Sequence, residues 1–446
     1  MLRWLLPAAI AALAAGCGGG SGSSVPVDPP SGRPGNSHIS HVVIIIQENR
    51  TVDNLFNGFP GADTAQSGEN SKGRQVPLIP VSMTAPYDIS HSHGGFEIEY
   101  ANGNMNGFDL AHSNCTHHTG QQKCPPRGQR AYAYVPRSEV RPYWILAKQY
   151  TLADEMFETN QGPSFPAHQY LVSGTSTITD DSTLRASEEP RTPDRKFTGG
   201  CDSPKGSLVS VIDDQGKENQ SVYPCFDRTS LMALANDASV GWRYYQARPD
   251  AGAWHAPDAV RPIRESVSFD NVVAPSAQVL SDVANGRLAS IVWVTPTARA
   301  SDHAGITDGS GPSWVASVVN AIGRSQYWDS TAIFVLWDDW GGWYDHAAPT
   351  IYNSFELGFR VPLLVISPYA KRGHVSHTHH ELASILKFTE ETFGLPSLGT
   401  TDARADDLRD CFDFHSPPHR FRRILTQLSG EYFLRQPPSN QDPDDD

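Results

Sequence analysis

From Ala332 to Leu336 the chain is uninterruptedly apolar, and the run ends at two adjacent carboxylates, Asp338 and Asp339, followed by Gly341 and Gly342. A strand covered on both faces reads this way, so the segment predicts a buried strand of an α/β sheet. In open α/β sheets ligands sit beyond the carboxyl ends of the strands, and glycine lets backbone approach them closely. Two vicinal aspartates with His346 seven residues further on can give oxygen and nitrogen ligands to a divalent cation. A solvated acidic turn accounts for the same residues.

The pattern recurs near the N-terminus. Val42 to Ile46 is a β-branched run that leads into Gln47, Glu48 and Asn49. Glu48 and Asn49 are hard oxygen donors suited to Ca, Mg, Mn or Zn, although Asn49 is equally a helix N-cap for the segment after it. A third set is Gly162-Pro163-Ser164, a turn that opens a helical stretch. A hydroxyl there stands where backbone N–H groups and the helix dipole favour an anion, which suits a nucleophile attacking phosphorus and also suits a capping serine. The fourth is Ser301-Asp302-His303, beyond a strand at 288–294. His91 and His93 share a glycine-bearing loop.

Further strands are expected at 151–157, 240–245 and 360–366, and helices at 141–150, 314–322 and 380–388. Strands alternating with helices over this length predict an α/β, doubly wound, mostly parallel sheet flanked by helices, with loop insertions. Residues 182–236 are polar and weakly periodic, and read as an insertion lying over the core. The Pro- and Asp-rich tail, 431–446, is expected to be disordered and acidic.

The chain of 446 residues carries a formal charge of −14, which argues against a nucleic-acid partner but not against a phosphorylated substrate held through a metal. Residues 1–17 have one basic residue, a short apolar run and a lipobox-like end at Cys17. They read as the signal peptide of an exported, membrane-anchored lipoprotein, with plain secretion as the alternative. Residues 18–37 are a flexible Gly/Ser/Pro tether, and 38–430 the catalytic domain. Export makes Cys115 with Cys124, and Cys201 with Cys225, candidate disulfides, leaving Cys411 over.

In chain order, Glu48-Asn49-Arg50-Thr51-Val52-Asp53, Gly162-Pro163-Ser164 with Ser173-Gly174-Thr175-Ser176, Asp338 to His346, and Gly358 to Pro362 with Ser367-Pro368 resemble the phosphoesterase family of bacterial phospholipases C and an acid phosphatase, within the alkaline phosphatase-like superfamily. The resemblance covers about 38–400. It implies a metal-dependent hydrolase of phosphoric esters in which Ser164 forms a phosphoserine. Glu48, Asn49, Asp338 and Asp339 would hold the divalent metal. His91, His303 and His346 would contact phosphoryl oxygens or protonate the leaving group.

This sequence departs from the family's Pro-Asn-Arg after the nucleophile, having Pro166-Ala167-His168, so a phosphate contact from that Arg is in doubt. Ser164 and Asp339, where the phospholipases commonly have Thr and Glu, lean towards the acid phosphatase branch. A phospholipase C acting on phosphatidylcholine-type lipids is the near alternative, with Trp340, Trp343 and Tyr344 open to stacking on choline and Trp337 assigned to the core. A catalytically inactive surface-binding lipoprotein is the alternative of another class. A sulfatase is disfavoured, since no Cys-x-Pro-x-Arg surrounds Ser164.

Overall fold

A computed structural model describes residues 38–115, 123–437 and 439. The proposed signal segment, tether and Cys17 lie outside the described residues. Eight strands form the central sheet: β1 (His41–Gln47), β2 (Thr151–Ala153), β3 (Trp242–Tyr245), β4 (Val272–Val273), β5 (Ile291–Val294), β6 (Thr331–Trp337), β7 (Leu363–Ile366) and β8 (His374–Ser376). Their order is β4-β3-β5-β1-β6-β7-β2-β8. All neighbours are parallel except that β7 runs against both β6 and β2.

The principal helices are α1 (Arg141–Gln149), α2 (Ser164–Ser173), α3 (Gln278–Ala284), α4 (Gly311–Gly323) and α5 (Leu382–Phe393). They gather in two sets, α2 against α5, and α1 and α3 against α4. β1 and β6 lie side by side at the middle of the sheet, in register from His41 opposite Thr331 to Gln47 opposite Trp337. Both are buried, as their apolar runs require. That register places Glu48 beside Asp338 where the two strands end, and the expected α/β architecture stands.

Several local expectations are corrected. The strand at 151–157 is two, because Met156–Phe157 leaves the main sheet to pair with His380–Glu381. His380 and Glu381 are therefore strand, and α5 begins only at Leu382. The insertion forms a small antiparallel sheet, Arg185–Ala186, Val209–Ile212 and Gln220–Val222, but it ends before 236: Leu231, Met232 and Ala235 are helical and belong to the main core. The tail does not begin at 431, because Gly430–Leu434 is a short helix whose Phe433 packs 5.3 Å from Trp314. Disulfides join Cys115 to Cys124 and Cys201 to Cys225, and Cys411 is a buried free thiol.

Candidate active site

The ends of β1 and β6 and the start of α2 converge on one buried cluster. The Asn49 amide N–H donates to Asp338 Oδ1 at 3.1 Å across 289 residues of sequence. The Asp338 amide donates to the Gln47 carbonyl at 3.0 Å, continuing the ladder past the strand ends. Asn49 adopts a left-handed backbone, φ 62°, which Asn tolerates better than most residues. Gly341 is obligatory here. Its φ is +62°, and a Cβ would stand 2.5 Å from that of Asn49.

Ser164 is the first residue of α2 and its hydroxyl does not cap the helix. Instead Oγ lies 3.1 Å from Asp339 Oδ2 and 3.3 Å from Glu48 Oε2, within hydrogen-bonding reach of both carboxylates. The capping alternative has no hydrogen bond to support it. One turn along the same helix, His168 Nε2 stands 3.3 Å from Glu48 Oε1 and 3.6 Å from Asp338 Oδ2. Ligand atoms of Glu48, His168 and Asp338 lie within 4.8 Å of one another. The sequence reading missed His168 as a donor, although its i,i+4 spacing from Ser164 put both on one face of the helix.

The electrostatics call for a cation. Burial, and then the charge of Asp338, push the Asp339 carboxyl well above the usual range, and only His91, His303 and the Gly341 N–H oppose this. Asn49 Oδ1 and Asp338 Oδ2 are buried oxygens with no hydrogen-bond donor. Burial lowers His168 to about 4 against the pull of Asp338, so its imidazole is neutral, as a metal ligand must be. Three carboxylates, an amide oxygen and a neutral imidazole fit a divalent cation. A further acid, Glu158, is fully buried and accepts from the Gly162 N–H at 3.3 Å. Burial and then the charge of Asp339 raise it well above the ordinary value.

Two of the three expected histidines reach this cluster. The His91 and His303 rings are 5.7 Å apart. His91 Nδ1 bonds the Ile89 carbonyl and His303 Nδ1 the Ala304 carbonyl, at 2.9 and 2.8 Å. A carbonyl only accepts, so Nδ1 carries the proton in both rings and Nε2 is the basic nitrogen. His91 Nε2 accepts from the Asn49 amide at 3.0 Å, which also fixes that amide's oxygen on its other side.

His346 goes elsewhere. Its Nδ1 and backbone N–H both donate to Asp53 Oδ2, at 2.7 and 2.9 Å. Asp345 beside it is gripped by Arg360 through Nε and Nη2 at 2.8 and 3.2 Å. Here a guanidinium supplies the positive charge, and the oxygens of Asp53 and Asp345 all have donors. The aromatics around Asp338 and Asp339 are packed inside. Trp337, Trp340, Trp343 and Tyr344 are all buried. Trp340 donates to Glu99 at 2.6 Å, and Trp343 stacks under the Arg50 guanidinium at 4.9 Å.

A model of the phosphoesterase family matches residues 39–396. The chain belongs to the phosphoesterase family. Among similar proteins, phospholipase C A of Mycobacterium tuberculosis is 24% identical over 88% of this chain and 81% of its own length. The hemolytic phospholipase C of Pseudomonas aeruginosa is 23% identical over 84% of this chain but only 56% of its own. A solved structure of an alkaline phosphatase superfamily protein from Vibrio parahaemolyticus aligns with 84% of this chain and 72% of that one, at 10% identity and a TM-score of 0.38. This phosphoesterase is a phosphoric ester hydrolase.

Proposed function

We propose that the protein hydrolyses phosphoric esters through a phosphoserine on Ser164, with Glu48, Asn49, Asp338 and Asp339 holding a divalent cation and His168 adding a fifth donor. The observation that carries this is the position of the Ser164 hydroxyl, turned away from the helix cap onto Glu48 and Asp339. A cation in that donor set lowers the hydroxyl's pKa and neutralises charge on the phosphoryl oxygens. Ser164 Oγ forms the new bond to phosphorus, its proton passing to the carboxylate it faces. The bond from phosphorus to the ester oxygen breaks, and the leaving oxygen takes a proton from the imidazolium Nε2 of His303, while His91, its Nε2 accepting from the Asn49 amide, orients that ligand. Water then attacks the phosphoserine, with the same imidazole as base, and frees Ser164 and phosphate.

Ser164 and Asp339 favour an acid phosphatase-like choice of substrate, and the burial of Trp340, Trp343 and Tyr344 removes the aromatic choline site from those residues. Phospholipase C action is the second reading, favoured by the similarity to the mycobacterial and pseudomonal enzymes. A panel of p-nitrophenyl phosphate, p-nitrophenyl phosphorylcholine and phosphatidylcholine, each with and without EDTA, separates them. Turnover of none of the three would overturn the hydrolytic reading. Export as a lipoprotein through Cys17 belongs to the same proposal: Cys17→Ser should yield a soluble exported form, and a wild type already wholly soluble would defeat it.

A further inference from the structure

The end of the sheet opposite Ser164 carries a basic face. Arg324, Arg372, Arg420, Arg422 and Arg423 are exposed, and among the described residues none of them makes an ion pair. They are gathered by the fold. Arg372 and Arg422 both lie close enough to Tyr150 to bias its phenol, and Tyr150 immediately precedes β2. His419, in the basic run, accepts the Trp328 indole N–H through its carbonyl at 2.8 Å, and Trp328 stands just before β6. Phe421 packs 5.0 Å from the same Trp328 and fixes the backbone between Arg420 and Arg422. Arg324 and Arg423 line one cavity beside the end of α4. Of the acids at this end, Asp410 is paired with Lys371 and His374, whereas Asp413 is bonded by the Ser416 hydroxyl and Asp329 lies beside Tyr369.

On a protein of net charge −14, five arginines outside any ion pair, against Asp329 and Asp413, leave an excess of positive charge on this face, opposite in sign to the whole. Leu425, two residues past Arg423, is 71% exposed. The chain enters the described domain at this same end. His38 lies 4.9 Å from Tyr369 and 5.9 Å from Phe414. The 37 residues before it include Cys17, the proposed lipid attachment point.

From this juxtaposition we infer that the arginine face is a docking surface for an anionic lipid bilayer. Basic side chains beside an apolar one match such a surface, and His38, the first described residue, lies at the same end. The seven residues of β1 separate the face from Glu48 by roughly 23 Å at about 3.3 Å per residue. A docked molecule therefore turns its catalytic cluster away from the bilayer that holds it, and takes its ester from the aqueous side. That corollary rests on the proposed site, whereas the docking does not.

Vesicle co-sedimentation of the exported Cys17→Ser form, which carries no lipid, tests this, comparing phosphatidylcholine vesicles with ones containing phosphatidylglycerol. The protein should bind only the anionic vesicles and be released by added salt. Each arginine near the surface contributes about fivefold, so R372Q/R420Q/R422Q/R423Q should bind roughly a hundredfold or more weakly. Its melting temperature and its turnover of a soluble phosphoric ester should match its parent. Equal binding to neutral vesicles, or a quadruple variant that binds as its parent, would overturn the inference in favour of an uncharged contact. Tighter binding to a short DNA duplex than to anionic vesicles would overturn it in favour of a nucleic-acid face. Loss of soluble-ester turnover on vesicle binding would overturn the orientation alone.

Discussion

His168 Nε2 stands 3.3 Å from Glu48 Oε1, and the two residues come from the helix that begins at Ser164 and the end of the central strand. The helix thus delivers both a hydroxyl and an imidazole to one group of carboxylates. If His168 is a metal donor, His168→Ala should weaken divalent-cation affinity about ten- to hundredfold, while saturating metal restores much of the turnover. Metal titration of the two proteins checks this. Unchanged affinity would leave His168 as a buried hydrogen-bond donor to Glu48 and nothing more.

Ser164→Ala removes the group placed to accept the phosphoryl and leaves the metal donors in place. Turnover should fall by several orders of magnitude, as when covalent catalysis is deleted and only electrostatic assistance remains. Because its hydroxyl makes no cap bond, melting should shift less than the loss of about 1 kcal/mol that removing a cap brings. Ser164→Thr is the companion variant and should keep activity. Retention of more than about a tenth of wild-type turnover by Ser164→Ala would sink the nucleophile assignment.

Much of this cluster was legible because each part follows an abrupt change in the sequence. An apolar run that stops at Glu48-Asn49 or at Asp338-Asp339 marks a strand end, and the two glycines after Asp339 announce a tight approach. His168 was not legible in the same way. It sits within a wholly buried helix, where a histidine and its apolar neighbours look alike to any test of periodicity. The reversed β7 escaped for a related reason, since a strand buried on both faces reads the same in either direction. His346 misled because it adjoins the aspartates in sequence, but the Gly341-Gly342 turn carries it to Asp53 and Arg360. The helical end of the insertion was hidden by its polar company, Asn236 and Asp237, around a few core residues.

Metal binding should be coupled to protons. Burial and Asp338 push the Asp339 carboxyl upward without a cation, so a cation entering there favours release of any proton it holds. Affinity should therefore rise with pH, and titration calorimetry in buffers of differing ionisation enthalpy should register proton release. At a hundred times the dissociation constant the cation should add about 2.7 kcal/mol of stability, seen as a higher melting temperature that EDTA reverses. No buffer dependence would mean that Asp339 is already ionised in the metal-free protein.

The His346 network makes a prediction of the opposite sign with respect to pH. Burial lowers this imidazole, but the hydrogen bond and charge of Asp53, with Asp345 behind, outweigh it and raise His346 to about 9. A folded-state value above the unfolded one means that the protonated form is bound more tightly by the native protein. The contribution is complete below about pH 6.5, the ordinary histidine value, and is lost as pH climbs through about 9. His346→Gln lacks it at every pH. The stability gap between wild type and His346→Gln, taken from urea melts at steps from pH 6 to 10, should be widest at the acid end and close towards pH 10. Comparing the two proteins cancels the titrating groups that His346 does not touch, Asp339 among them. A gap that stays constant or widens with pH would show that His346 is held neutral, and that Arg360 alone balances Asp53 and Asp345.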